Sequence, residues 1–215
     1  IVTGDWSSDV CSSDLAIFEL GPTGFPFEKF IGAILFHSGY QVDVGVKFQG
    51  KCVSHEVDVH ATRDGEDILM ECKFHSLQGK FSDVKVPLYI HSRFRDIEEF
   101  YNEKPSETFK FKEGWVATNT RFSADARKYA NCVGLKLLSW DLPKGKALKD
   151  KIDQIGLFPI TVSSLLSSRE KQFLLSRDVV LCRELLNDDF YLDHLGISEK
   201  RKARILSEME NLCKI

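Results

Sequence analysis

His55-Glu56-Val57-Asp58-Val59 and Met70-Glu71-Cys72-Lys73-Phe74 are the two stretches that decide how this chain folds. In each, β-branched or apolar residues alternate around charged ones, which is the period of a β-strand. Between them stands Arg63-Asp64-Gly65-Glu66, and Asp-Gly is a preferred pair for a two-residue hairpin turn. With Asp64 and Gly65 at the turn, the register sets Asp58 directly across from Glu71, with Cβ atoms about 5 Å apart. Lys73 follows two residues along on the same face. Facing carboxylates repel unless a cation sits between them, and oxygen ligands on a rigid sheet suit Mg²⁺. A lysine beside a metal orients and polarises an attacking water, so the three residues form a candidate phosphodiester-hydrolysing site. The bland alternative is a set of polar residues on the solvent face of an amphipathic strand. It fits the second strand poorly, because Ile68-Leu69-Met70 is apolar on both faces, as in an interior strand. Such strands rarely admit Glu and Lys without a partner or ligand.

Asp5-Trp-Ser-Ser-Asp-Val-Cys-Ser-Ser-Asp-Leu15 resembles one reading frame of a short-read sequencing adapter, and Ile1 to Gly4 fit the variable index upstream of it. The stretch has no sustained period, and we expect residues 1–15 to be non-native. The natural chain is then expected to start at or near Ala16, with its true N-terminus missing. Those fifteen residues hold Asp5, Asp9 and Asp14 out of 32 acids and none of the 29 bases, so the remainder is charge-balanced. Any basic patch must therefore be local. A chain of 215 residues can bury a good core, as one domain or one domain with a small appendage. Setting Cys11 aside leaves Cys52, Cys72, Cys132, Cys182 and Cys213, without a Cys-x-x-Cys pair. That argues against a disulfide framework or zinc site and for a reducing, cytoplasmic setting. No apolar run approaches a membrane span, and no signal peptide is seen.

Further along, Phe25 to Gly39 reads as a helix with Pro26 in its first turn and Phe27, Phe30, Ile31, Ile34 and Leu35 on one face. Strands are expected at 41–48, 51–62 and 67–74, then a polar loop at 75–85 and a helix at about 87–104. A strand at 113–118, a turn at 119–122, a helix at 123–132 and a strand at 135–140 follow. The order is that of a mixed α/β sheet with helices on its faces. From about Gly156 only short helices are expected. One starts at Ser167 or Ser168, with Lys171 at the capping-box position, Asp188 can cap the next, and Ser198 to Leu212 forms the last. The expected units are 16–142 for the sheet domain, 143–156 for a connection and 157–215 for a small helical domain.

Other residues carry weaker signals. Glu28 sits at the edge of the first helix's apolar face, where local chemistry alone favours a first-turn acid facing the helix dipole. His75 and Gln78, just past the Glu-x-Lys strand, are placed to touch substrate phosphate or to be ordinary loop residues. His55 and His60 flank the site rather than ligate metal. Asn119 and Arg121 stand at a strand end before a helix, where α/β sheets place ligands, although turn chemistry accounts for Asn and Thr there more simply than contact with DNA. Lys200, Arg201, Lys202 and Arg204 cluster behind Leu195-Gly196-Ile197, a fragment of a helix-hairpin-helix phosphate-binding turn, or else a solvated basic face.

Taken in order, Glu28, Glu56-Val-Asp58 and Glu71-Cys-Lys73 resemble the PD-(D/E)XK nuclease superfamily. Within it the chain is most similar to the Mrr-type restriction endonuclease domain and, in its first helix, to archaeal Holliday-junction resolvases. Trp115-Val-Ala-Thr-Asn-Thr-Arg-Phe-Ser-Ala-Asp-Ala126 and Gly134-Leu-Lys-Leu-Leu138 resemble the Mrr strand, turn, helix and strand. Gly21-Pro-Thr-Gly-Phe-Pro-Phe-Glu-Lys-Phe30 and Val86-Pro-Leu-Tyr-Ile-His-Ser-Arg-Phe94 look like a bacterial group that joins an N-terminal ATP-cone to this nuclease domain.

The resemblance implies a restriction-endonuclease-like mixed sheet flanked by helices and a Mg²⁺-dependent deoxyribonuclease, with Mn²⁺ as a substitute metal. Asp58 and Glu71 become metal ligands, the Cys72 backbone carbonyl a further one, and Lys73 the catalytic lysine. Glu28 becomes a ligand to metal or water, reversing the local reading. Expected partners are DNA and, within the family's range, a second copy of the chain. ATP enters only through a domain absent from this sequence. Val57 replaces the family's usual Pro. A nuclease acting on branched DNA or RNA, and a catalytically idle nucleic-acid-binding module, are the alternatives.

Overall fold

The structure is a computed structural model and describes residues 15–104 and 109–214. The expectation for the leader segment lies outside the described residues up to residue 14. At Ala16 the chain is already anchored: its carbonyl accepts a hydrogen bond from Thr161 Oγ1 at 2.7 Å. Ile17 and Leu20, in a short 3-10 turn at Ile17–Leu20 that the sequence reading missed, are fully buried.

Helix α1 spans Phe25–His37 and buries Phe27, Phe30, Ile31 and Ile34 completely, the stripe its spacing dictates. Strands β1 (Gln41–Gln49) and β2 (Ser54–Arg63) pair antiparallel, and β2 pairs antiparallel with β3 (Glu66–Lys73). The turn between β2 and β3 is the expected one. Asp64 and Gly65 both take positive φ, 56° and 75°, as a type I′ turn requires, and the pairs Arg63↔Glu66 through Val59↔Met70 follow from it.

Helix α2 (Lys85–Asn102) then crosses over to β5 (Phe111–Thr118), parallel to β3. Helix α3 (Ala124–Val133) crosses to β7 (Lys136–Leu138), parallel to β5. The five strands lie in the order β1-β2-β3-β5-β7. A second, two-stranded sheet was not anticipated: β4 (Phe81–Ser82) and β6 (Arg121–Phe122) pair parallel, within what read as a loop and a turn.

The two faces of the large sheet have different cores. Ile90, Phe94 and Ile97 of α2 and Ala126 and Ala130 of α3 cover one face, with Leu69 and Val116. The other face, with Met70 and Ala117, packs against α1 and the C-terminal helices α4 (Leu148–Ile155), α5 (Ser168–Ser176), α6 (Cys182–Asn187), α7 (Phe190–His194) and α8 (Glu199–Cys213). The core of the helical segment is continuous with that of the sheet face: Leu174, Leu185, Ile205 and Met209 join Phe30 and Ile34 in one cluster. Ser167 is the cap of α5 and Glu170 closes its capping box, one residue earlier than the sequence suggested. No helix among the described residues is long and apolar enough to cross a membrane.

One irregularity matters for the site. In β1, Val42 and Val44 lie against Gly32 of α1, whereas Val46 and Phe48 pack with the α2 cluster. Residues of equal parity should share a face, so β1 turns over between Val44 and Val46. It does so at Gly45, whose φ is +70°. The pairs Val44↔Val59 and Val46↔Val57 set Gly45 opposite Asp58. The same switch occurs in β2, where Val59 faces α1 and Val57 faces α2.

Candidate active site

Asp58 stands at this reversal, one residue beyond the last ladder pair, Val59↔Met70. The expectation of two carboxylates facing directly across an unbroken hairpin is therefore corrected. The register is as expected, but Asp58 Oδ2 accepts a hydrogen bond from the Cys72 backbone N–H at 2.7 Å. Its carboxylate reaches toward the main chain of β3, beside Glu71.

Three carboxylates share this corner. Burial, then the charges of Asp58 and Glu56, push Glu28 up to about 7. Burial also pushes Glu71 up to about 7, with Asp58 and Glu28 adding to the rise and Arg93 opposing it. Asp58 is raised chiefly by burial, against the Cys72 N–H bond and the Arg93 charge. α1 thus brings Glu28 to the strand carboxylates, which its position at the helix N-terminus did not settle. Lys73 ends β3 in an exposed position. The Cys72 side chain packs with the α1-side core, and burial first, then the three nearby carboxylates, holds its thiol well above the ordinary range.

Arg93 of α2 is the residue the sequence reading missed. Its guanidinium donates to Glu71 Oε1 through Nη1 and to the Glu56 carbonyl through Nη2, and it lies 5.4 Å from the Tyr89 ring centroid. A signal existed: with Ile90, Phe94 and Ile97 it occupies an i, i+3, i+4, i+7 pattern, so a charge stands in an apolar stripe. Glu71 Oε2 is buried and has no hydrogen-bond partner among the described residues.

No group of three or more His, Cys, Asp or Glu is arranged to hold a metal ion among the described residues. The donor chemistry nevertheless fits a hard divalent cation completed by water: an orphaned carboxylate oxygen at Glu71, mutually repelling acids, and a main-chain carbonyl at Cys72. His55 and His60 are engaged elsewhere, with Asp96 and Asp67 at 2.7 Å each.

Of the residues expected to touch substrate, several have other tasks. Asn119 is buried, and its amide pairs reciprocally with the His75 backbone, Oδ1 with N–H and Nδ2 with the carbonyl, both at 2.8 Å. It fastens the end of β3 to the end of β5. His75 is lowered by burial and by Lys73 and Lys80, and its Nε2 lies 3.1 Å from Ser82 Oγ. Gln78 and Arg121 come together on one cavity. Arg201 is engaged within the protein: its guanidinium donates to both oxygens of Glu170, at 2.5 and 2.7 Å, and to the Leu165 carbonyl at 2.7 Å. Lys202 is held by Asp189 and Asp193. Lys200 and Arg204 remain exposed.

The family model described as Restriction endonuclease (Mrr_cat) matches residues 22–142, and that described as AF1548-like, C-terminal, matches residues 158–213. An uncharacterized protein of Archaeoglobus fulgidus is 32% identical over 180 residues, 83% of this chain and 97% of the relative. A solved structure, described as a protein of unknown function, AF1548, superposes with a TM-score of 0.71 at 30% identity over 89% of this chain and 98% of that one. The DNA modification-dependent restriction endonuclease AspBHI matches more distantly, with a TM-score of 0.43 and 12% identity over 80% of this chain and 40% of that one. With an acidic corner on a mixed five-stranded sheet and a family match spanning residues 22–142, the chain belongs to the Mrr_cat restriction endonuclease family.

Proposed function

We propose that this protein is a divalent-metal-dependent endonuclease that hydrolyses phosphodiester bonds in DNA, with Mg²⁺ as the metal and Mn²⁺ as a substitute. The observation that carries the reading is Glu71 Oε2, a buried oxygen without a partner, set among carboxylates that repel one another. Such a group persists at a functional site when something absent completes it.

Asp58, Glu71 and the Cys72 carbonyl would hold the cation, with Glu28 binding it directly or through water. When bound, the cation supplies Lewis acidity, lowering the pKa of water and neutralising phosphate charge. Arg93 fixes the rotamer of Glu71 by occupying its other oxygen. The Cys72 N–H does the same for Asp58. Lys73, exposed at the strand end, reaches the attacking water and the charge that develops on the phosphate. Lys200 and Arg204, exposed on α8, are proposed to hold the duplex backbone. The free thiols among the described residues suit the reducing cytosol we propose for it.

The test is cleavage of linear, methylated and branched DNA, and of RNA, with and without Mg²⁺. Asp58→Ala and Glu71→Ala should abolish cleavage with the fold intact, and Lys73→Ala should lose cleavage while still binding metal. Activity surviving both carboxylate changes would remove the site. Loss of the metal site in Lys73→Ala would make that lysine structural.

A further inference from the structure

Beyond the carboxylates, the carboxyl ends of the parallel strands open onto a cavity of about 350 Å³. One wall comes from residues 78–81, which follow β3, and the other from residues 119–121, which follow β5. The same β3 carries Glu71 and Lys73, and Lys73 pairs in register with Thr118 of β5. The cavity therefore lies at the strand ends of an α/β sheet, where ligands bind.

Its lining combines three rings, Phe18, Phe81 and Trp140, with Gln78, Lys80 and Arg121. Phe81 is 57% exposed, so much of its ring is open to a ligand entering the cavity. It is nonetheless held rigidly. Phe81 pairs with Arg121 in the two-stranded sheet, Ser123 N–H donates to the Ser82 carbonyl at 3.0 Å, and Trp140 N–H donates to the Thr120 carbonyl at 3.2 Å. The buried Asn119 locks the two walls together through His75.

We infer that this cavity receives an unstacked nucleobase of the DNA substrate, stacked on Phe81 and Trp140. Lys80 draws the adjoining phosphate. Arg121, whose Nε is paired with Asp141 Oδ2 at 3.1 Å, turns its outer guanidinium nitrogens to the same backbone, and the Gln78 amide faces the base's polar edge. This rests on the nuclease reading and deepens it: the enzyme would take hold of a base that is extruded, unpaired or near a strand end. Aromatic rings flanked by cations suit this ligand, because every base offers a π-face while the backbone offers negative charge. The volume admits one base and not a duplex.

The experiment uses the full chain and single-stranded oligonucleotides carrying 5-iodouracil, whose photoadducts form on stacked aromatic residues. The expected adducts lie on Phe81 or Trp140, read by mass spectrometry. Phe81→Ser, at an exposed position the core does not need, should weaken oligonucleotide binding roughly tenfold. The slope of log affinity against log salt should stay unchanged, because no phosphate contact is lost. Adducts confined to residues outside the cavity, or full affinity in Phe81→Ser, overturn the base site while Mg²⁺-dependent cleavage leaves the nuclease reading standing. Thymidine monophosphate displacing the oligonucleotide with equal affinity overturns it in favour of a free nucleotide. A wild-type chain that binds no nucleic acid ends both readings together.

Discussion

Arg93 and Glu71 form an ion pair that satisfies only half of the carboxylate: Oε1 is held by the guanidinium, and Oε2 is buried without a hydrogen-bond partner among the described residues. The pair comes from the crossover helix and an interior strand. One partner therefore depends on α2 being docked, and the other on the β2–β3 hairpin being in register.

Removing Arg93 should have a pH-dependent cost. In Arg93→Ala, Glu71 loses its cation but can escape by taking a proton. Below about pH 6 the variant should be nearly as stable as the parent, and well above pH 7 it should approach the ~3 kcal/mol typical of a broken buried pair. Cleavage at neutral pH should fall roughly 10- to 100-fold, as when an orienting partner of a metal ligand is lost. Urea denaturation at several pH values checks this. An equal loss of stability at all of them would reduce Arg93 to a packing element.

The metal-free protein should weaken as pH rises. Glu28 and Glu71 stand at about 7 in the folded chain against 4.5 ordinarily, so the folded state holds extra protons between those values. Stability is then greatest below 4.5 and declines as pH climbs through about 7. With a chelator present, the melting temperature of Glu71→Gln relative to the parent should move in the variant's favour across that interval. Mg²⁺ should raise the parent's melting temperature more at alkaline than at acidic pH, because the cation binds the ionised carboxylates. A flat difference between the two proteins would contradict the raised Glu71.

How far the sequence disclosed this site depended on the reach of the forces involved. Asp64-Gly65 fixes a hairpin by local backbone sterics, so the register that brings Asp58 near Glu71 was legible from four residues. The stripe of α1 was legible for a similar reason. Arg93 and Glu71 are 22 positions apart, and Phe81 pairs with Arg121 through two residues only. The stripe of α2 marks Arg93 as a charge among apolar residues but does not name its partner, and the Phe81–Arg121 pairing leaves no periodic trace. Asn119 was placed at the end of β5 with two tasks left open, because a strand-end amide that caps a neighbouring loop has the same sequence appearance as one that meets a ligand; the structure shows the loop contact.

On α8, two kinds of basic residue should separate cleanly. Neutralising Lys200 and Arg204 together should lower the salt slope of duplex binding by roughly 0.9 per lost phosphate contact. Arg201→Ala should instead lower the melting temperature, because Glu170 loses its ion pair and the Leu165 carbonyl its guanidinium donor, and should leave the slope alone. The opposite pattern would return Arg201 to the DNA-binding set.

A chain begun at Gly21 should be less stable than one begun at Ala16. Ile17 and Leu20 are each fully buried, and two such side chains contribute about 3–6 kcal/mol together. For a domain of this size the melting temperature should drop by roughly 10 °C. Equal melting temperatures for the two chains would mean that this turn is dispensable.

The reversal at Gly45 bears on what the family can tolerate. Any L-residue placed there must either accept a left-handed backbone or straighten β1, and straightening rotates the opposing Asp58 away from the main chain of β3. Such a change would spare the core, since nothing lies within 4 Å of a Cβ built at Gly45. The proposed hydrolysis would then be lost while folding survived. Residue 45 thus becomes a sentinel: among kindred sequences that keep all three acids and the lysine, its identity would sort working enzymes from silent copies.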